Sequence, residues 1–149
     1  MQKLYDIKNS MGHLTGLASR LFNNLLASRF HAAGIDMTAE QWGAIVILMN
    51  MEPLSQGQLG EQLYLDKSSV SRLTTGLEKR GWVMRSKDPD DNRKKVLIVT
   101  PSARDLVERC SDIARSVLHD AEQGLQADAL AAQKATLTQI ISNLRGAAP

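Results

Sequence analysis

The 149-residue chain carries 18 Lys and Arg residues against 16 Asp and Glu residues, and its net charge of +2 argues against general adhesion to polyanions. The charge is uneven, because residues 53–104 hold ten basic and six acidic side chains, which favours one nucleic-acid-binding face. The single cysteine, Cys110, excludes an internal disulfide, and the longest apolar run, residues 44–49, is too short to cross a bilayer. We therefore expect a cytoplasmic protein without a membrane segment.

Two helical patterns precede residue 50. Apolar residues recur at alternating spacings of three and four near the N-terminus, which predicts a long helix with a stripe that packs on another helix. The stripe consists of Leu4, Ile7, Met11, Leu14, Ala18, Leu21 and Leu25. A second helix is predicted between Thr38 and Met49, because Thr38 and Gln41 have the spacing of a capping box. Its apolar stripe consists of Trp42, Ile45, Val46 and Met49.

Residues 54–65 are predicted to form the first helix of a helix-turn-helix. Ser55 is its candidate N-cap, and Leu59 and Leu63, four residues apart, form its core face. Gly57 and Gly60 lower the intrinsic stability of this helix, so we expect both glycines to allow close approach of a neighbouring helix. A short turn then leads to residue 66.

The second helix of the motif is predicted from Lys67 to about Arg80, with Asp66 as its N-cap. One face is aliphatic and consists of Val70, Leu73 and Leu77. The opposite face consists of Ser68, Ser71, Arg72 and Thr75, flanked by Lys67, Ser69 and Lys79. Small hydroxyls let a backbone approach base edges, and the guanidinium reaches guanine acceptors or a phosphate, so this face is typical of a helix that enters a major groove.

A basic hairpin is predicted after Gly81, which ends the helix. Residues 82–85 alternate in strand fashion, residues 88–92 (DPDDN) favour a turn, and residues 94–100 return as a β-branched strand. A tip with Arg93, Lys94 and Lys95 suits a wing that follows the DNA backbone or enters the narrow minor groove. A solvated charged hairpin is the alternative.

Two further helices are predicted after residue 100, and their apolar stripes indicate a partner chain. Pro101 opens the first of them. The stripes consist of Leu106, Cys110, Ile113 and Val117 in the first helix and Leu130, Leu137, Ile140, Ile141 and Leu144 in the second. A small module cannot bury all of these stripes, so we predict that residues 1–35 and 102–149 form the helical dimerisation region of a homodimer. An intramolecular three-helix core is the alternative.

Four segments together form a recognisable sequence pattern: residues 65–73 (LDKSSVSRL), 77–83 (LEKRGWV), 88–95 (DPDDNRKK) and 99–101 (VTP). With residues 38–42, they resemble the MarR (multiple antibiotic resistance regulator) family of dimeric winged-helix transcription factors. We therefore expect a mainly α fold with a small β-hairpin wing. Residues 36–101 are the expected winged helix-turn-helix DNA-binding domain, with a helical dimerisation lobe formed by both termini.

The resemblance implies a homodimer that binds a pseudo-palindromic double-stranded DNA operator and represses transcription until a small-molecule effector releases it. It also implies that Arg93 enters the minor groove and that Asp91 orients it. The expected DNA-binding residues are Ser55, Gln56, Lys67, Ser68, Ser69, Ser71, Arg72, Thr75, Lys79, Asp91, Arg93 and Lys94. A small aromatic or anionic ligand is expected at His13, Leu17, Trp42 and Arg85. Alternatively, Trp42 is a core residue and His13 a surface residue.

The same sequence offers three other kinds of site. Redox sensing through Cys110 is one alternative, but Cys110 lies on an apolar helix face with Leu106 and Ile113, which predicts a buried and inert thiol. His13, His31 and His119 lack the spacing of a metal-binding helix, and no cofactor or metal is expected. The sequence contains no phosphate-cradling glycine loop, nucleophile elbow or catalytic constellation, so we expect no enzyme. A winged-helix module that binds a protein partner is the principal alternative.

Overall fold

The computed structural model describes residues 4–147, which fold into six α-helices, one short 3-10 helix and one two-stranded antiparallel sheet. The elements are the 3-10 helix Ile7–Asn9, α1 (Met11–Ala32), α2 (Ala39–Met51), α3 (Gln56–Leu63), α4 (Lys67–Lys79), β1 (Val83–Lys87), β2 (Lys95–Val99), α5 (Pro101–Ala121) and α6 (Ala127–Ala147). The predicted mainly helical fold with one hairpin is confirmed. The ends of the predicted dimerisation region, residues 1–3 and 148–149, lie outside the described residues.

The chain divides into two compact units, which meet in sequence between residues 115 and 116. The core of the first unit draws side chains from α1 to α5 and from the hairpin. Its largest fully buried side chains are Phe30, Ile45, Leu48, Leu59, Leu77, Leu97, Val99, Thr74 and Cys110. Within residues 4–147, no helix is long and apolar enough to cross a membrane.

The heptad pattern predicts one continuous helix for the N-terminal stripe, and this prediction is wrong. A 3-10 turn ends at Asn9, and Ser10 is extended with a ψ of 127°, so α1 begins at Met11. The side chain of Asn9 donates a 2.7 Å hydrogen bond to the Asp6 carboxylate, and such local bonds compete with the helical ladder. The predicted members Leu4 and Ile7 are therefore outside α1 and exposed.

Helix α2 starts at the predicted capping box. The Thr38 hydroxyl accepts from the Gln41 amide at 3.0 Å, and the Gln41 side chain accepts from the Thr38 amide at 3.0 Å. Its most deeply buried residues are Ala44, Ile45 and Leu48, whereas Trp42, Val46 and Met49 are half-buried. The predicted stripe thus missed Leu48, because α2 is covered on more than one face.

Helix α3 is shorter than predicted at both ends. It starts after Leu54, which forms an isolated bridge with Leu97 of β2, and it ends at Leu63 because Tyr64 is left-handed with a φ of 54°. The Leu97 amide donates to the Leu54 carbonyl at 2.6 Å, which places Leu54 beside β2. Gly60 allows the expected close approach: an added Cβ would lie 3.3 Å from both the Leu65 carbonyl oxygen and Val70 Cγ1. Gly57 does not, because its Cβ would meet nothing closer than the nearby Ser55 hydroxyl at 3.9 Å.

Helix α4 and the hairpin follow the sequence prediction closely. Val70, Leu73 and Leu77 are buried, and Gly81 ends the helix with a φ of +71°. Strand β1 begins and ends later than predicted, and it pairs with β2 in a register that runs from Val83 opposite Val99 to Lys87 opposite Lys95.

Helix α5 starts at Pro101, as predicted, after a turn closed by Thr100. The Thr100 hydroxyl donates to the Gly81 carbonyl at 2.6 Å, and the Ala103 amide donates to the same hydroxyl at 3.3 Å. Cys110 is fully buried in the core of the first unit.

The second unit holds the last residues of α5, a turn with Gly124 at a φ of +78°, and α6. No residue of α6 that the structure describes is buried, and its predicted stripe is half-buried or exposed. Ile141 and Leu144 are 52% and 65% exposed.

Candidate nucleic-acid interface

The outward face of α4 is the centre of the candidate interface. Ser68, Ser71, Arg72 and Thr75 are all exposed, opposite a buried aliphatic face. The Arg72 guanidinium donates to the Ser69 hydroxyl at 3.4 Å, one turn earlier on the same helix. The flanking Lys67 and Lys79 are also exposed, whereas Ser69 is half-buried. The predicted hydroxyl-and-arginine face of α4 is therefore present on the surface.

Asp66 fixes the first turn of this helix. Its carboxylate accepts from the Ser69 amide at 2.7 Å and from the Ser68 hydroxyl at 3.0 Å. The backbone hydrogen bond from Ser69, with help from the serine hydroxyls and Arg72, holds the pKa of Asp66 below its ordinary value. Asp66 is thus an anionic N-cap that orders the end of α4 from which Ser68 projects.

The wing tip holds Arg93 beside a carboxylate. Asp91 accepts from the Arg93 backbone amide at 3.0 Å and from its Nε at 3.3 Å, while the Arg93 side chain stays 91% exposed. The Lys94 amide donates to the Asp91 carbonyl at 3.0 Å, which closes the turn. This geometry orients a solvent-exposed guanidinium at the tip of the hairpin.

Gln56 and Arg85 take part in one polar bridge within the domain. The Arg85 Nε donates to Glu78 at 3.1 Å, and its guanidinium also donates to the Gln56 side-chain carbonyl at 2.8 Å. The bridge joins α3, α4 and β1. Ser55 is likewise engaged, because its hydroxyl accepts from the Gln58 amide at 3.1 Å. These three predicted site residues therefore have structural partners, and their roles toward DNA or a ligand stay predictions.

The remaining effector candidates are dispersed between core and surface. Trp42 packs edge-on against Phe30 with ring centroids 6.1 Å apart, and it is half-buried. On α1, His13 is half-buried and Leu17 is 38% exposed. A ligand role for these residues stays a prediction.

Sequence reasoning missed two side chains that build the interface. Gln58 completes a capping box with Ser55, and its S-x-x-Q spacing was a visible signal. Glu78 neutralises Arg85, but the two residues lie on different elements, so no helical or strand spacing reveals their contact.

Cys110 is a free cysteine in the core of the first unit. Its side chain is fully buried, and desolvation raises the pKa of its thiol, an effect that the nearby charge of Arg109 opposes. Across residues 4–147, no group of three or more His, Cys, Asp or Glu side chains has an arrangement that could hold a metal ion.

The MarR family model matches residues 37–95, the segment that contains the helix-turn-helix and most of the wing. Residues 37–95 are a MarR family domain. The expected resemblance is thereby confirmed, with α3 and α4 as the helix-turn-helix and β1 and β2 as the wing.

Relatives of this chain are bacterial transcriptional regulators. The organic hydroperoxide resistance transcriptional regulator of Bacillus subtilis is 29% identical over 84 residues, which cover 56% of this chain and 57% of that protein. The match therefore spans less than two thirds of that relative.

Solved structures extend the similarity to most of the chain. A probable transcriptional regulator from Pseudomonas aeruginosa is 27% identical, has a TM-score of 0.80, and matches over 91% of this chain and 99% of that chain. Bordetella bronchiseptica BpsR, whose DNA binding is regulated by 6-hydroxynicotinic acid, has a TM-score of 0.79 over 93% of this chain and 97% of that chain. At 22% identity, the BpsR comparison shows the fold alone.

Proposed function

We propose that this protein is a sequence-specific, double-stranded DNA-binding transcriptional regulator. The observation that carries the proposal is the exposed face of α4, with Arg72 among small hydroxyls, beside a wing whose tip presents Arg93. In this proposal α4 enters the major groove, where Arg72 contacts guanine or phosphate, and Arg93 enters the adjacent minor groove. The basic residues Lys67, Lys79 and Lys94 contact phosphates on either side.

We further propose that the protein acts as a homodimer. In the first unit, α1 exposes Leu14, Leu21 and Leu25 by 46%, 59% and 38%, and in the second unit α6 exposes Ile141 and Leu144. Large exposed apolar stripes mark interaction surfaces. A two-fold dimer presents two copies of α4 to successive major grooves, roughly 34 Å apart, and so selects a pseudo-palindromic site.

Selection of bound sites from a random duplex pool tests both proposals together. We expect a recovered site with dyad symmetry and half-sites about one helical turn apart. Recovery of unrelated sequences would contradict sequence-specific recognition, and recovery of single half-sites would contradict the dimer.

Two arginine variants test the interface itself. Arg72→Ala and Arg93→Ala are each expected to weaken DNA binding by about 1–3 kcal/mol, because each removes one groove or backbone contact. Affinity is also expected to fall steeply as salt rises. Arg20→Ala, an exposed arginine on α1, is the matched control and should bind like wild type. Binding that ignores salt and both substitutions would favour a protein partner.

We also propose that the regulator is a repressor released by a small aromatic or anionic ligand. BpsR shares the fold and responds to such a compound. An open cleft of about 360 Å³ adjoins α4 and is lined in part by Gln41, Ser69 and Arg72. None of the four expected ligand residues lines it, but a ligand bound there would contact the DNA-facing helix. An aromatic carboxylate that raises the melting temperature and releases the selected duplex would support this, since a ligand stabilises the state it binds. Unchanged DNA affinity with the bound ligand would contradict it.

A further inference from the structure

One carboxylate joins the wing to two helices. Glu52 follows α2 directly, and its Oε2 accepts from the backbone amide of Val99 in β2 at 3.1 Å. Its Oε1 forms an ion pair with Arg104, in the first turns of α5. The Arg104 guanidinium also donates to the Met49 sulfur at 3.3 Å, so both partners of the pair contact the end of α2.

The carboxylate takes the place of a strand partner on β2. The amides of Leu97 and Val99 are two residues apart and point to the same edge of the strand. Leu97 donates to the Leu54 carbonyl, and Val99 donates to the Glu52 side chain on the other side of Pro53. On the edge opposite β1, β2 therefore has one backbone contact and one side-chain contact in place of a third strand.

The Val99 amide is buried, so it depends on the Glu52 carboxylate for its hydrogen bond. Val99 is 1% exposed, and the side chain of Glu52 is 21% exposed. A buried amide that loses its acceptor is costly to leave unpaired. The side chain of Arg104 is 41% exposed, and it pairs with the other oxygen of the carboxylate that accepts from Val99.

We propose that Glu52 and Arg104 are positioning residues that fix β2 on α2 and α5 and thereby set the contribution of Arg93 to DNA binding. The proposal rests on the proposed function, because it assigns the wing a role in DNA affinity. Neither residue contacts DNA in it. A movement of the first turn of α5 would reach the wing through this ion pair.

Amide exchange of the full-length protein tests the strand contact without DNA. Glu52→Ala and Arg104→Gln are expected to speed the exchange of the Val99 amide, by about tenfold or more for Glu52→Ala, because local opening becomes easier. Asp112→Asn is the matched control, since Asp112 forms an exposed ion pair with Arg115 on α5 and does not contact β2. Unchanged Val99 exchange in both Glu52 and Arg104 variants would overturn the proposal.

A double-mutant cycle on DNA tests the functional part. The probe is a mixed-sequence duplex about three helical turns long, titrated at low salt. Arg104→Gln is expected to lower affinity about five- to tenfold in the wild-type background and much less when Arg93 is already Ala, because contacts in one network are not additive. Equal losses in both backgrounds would overturn the proposal, since they would show an effect that bypasses the wing.

The two arms separate failure of this inference from failure of the proposed function. Absence of wild-type binding to any duplex would contradict DNA binding, whereas Val99 exchange would still support or overturn the role of Glu52 in holding β2. Arg104→Gln retains the carboxylate acceptor, so it provides a readout if Glu52→Ala does not fold.

Discussion

Replacement of Arg85 by Met tests whether the bridge between α3, α4 and β1 stabilises the domain. Methionine preserves an unbranched apolar stem and removes every guanidinium donor. The ion pair with Glu78 is half-exposed, with both side chains 35% accessible, so its loss should cost only about 0.5 kcal/mol. Loss of the 2.8 Å bond to Gln56 should cost about 1 kcal/mol more.

We therefore expect Arg85→Met to lower the free energy of unfolding by about 1.5 kcal/mol, roughly a tenfold change in the folding equilibrium. Urea denaturation followed by circular dichroism measures this change, and Arg20→Met on α1 serves as a control that should stay within about 0.5 kcal/mol of wild type. A loss below about 0.3 kcal/mol for Arg85→Met would refute the reasoning, because it would show that the bridge contributes no net stability. It would also make Arg85 a stronger candidate for a ligand anion.

Three further predictions follow from burial and capping. Leu77→Ala removes a fully buried side chain, so urea denaturation should show a loss of about 2–5 kcal/mol, and a loss under 1 kcal/mol would contradict the core assignment. The depressed pKa of Asp66 means that its stabilising effect is present above the ordinary Asp value of about 3.9 and is lost as the pH falls through the folded-state pKa. In Asp66→Asn, the free energy of unfolding should therefore fall less steeply at acid pH than in wild type, as measured by urea denaturation at several pH values. An unchanged acid dependence would show that protonation of Asp66 does not contribute to it. The buried Cys110 should react with a thiol reagent at neutral pH only after denaturant is added, and rapid labelling of the native protein would contradict its burial.

Local rules were sufficient to predict much of this fold. Several predicted features depend only on neighbours within four residues, and the structure contains all of them. They are the N-caps Thr38 and Asp66, the aliphatic face of α4, and Gly81 as the end of that helix. The Asp91–Arg93 contact is also local, and the resemblance to the family had indicated it.

Contacts between distant residues were harder to predict. The predicted helix includes Leu54, because its partner Leu97 lies more than forty positions away and leaves no periodic signal. The Arg85 bridge and the Glu52–Arg104 pair were missed for the same reason. The N-terminal heptad pattern failed for a different reason. The spacing of its apolar residues is helical, but apolar spacing carries no information about the side-chain hydrogen bond from Asn9 to Asp6, which competes with the helical ladder before Met11.

The contact at Gly60 determines how the two helices of the motif can respond to a partner. Because an added Cβ there would lie 3.3 Å from the Leu65 carbonyl oxygen and from Val70 Cγ1, the backbone of α3 packs directly against the turn and against the Val70 side chain of α4. Such a close contact has little freedom to repack. The helix-turn-helix should therefore bind DNA as a rigid unit. Adaptation to imperfect half-sites must then come from bending of the duplex or displacement of the hairpin.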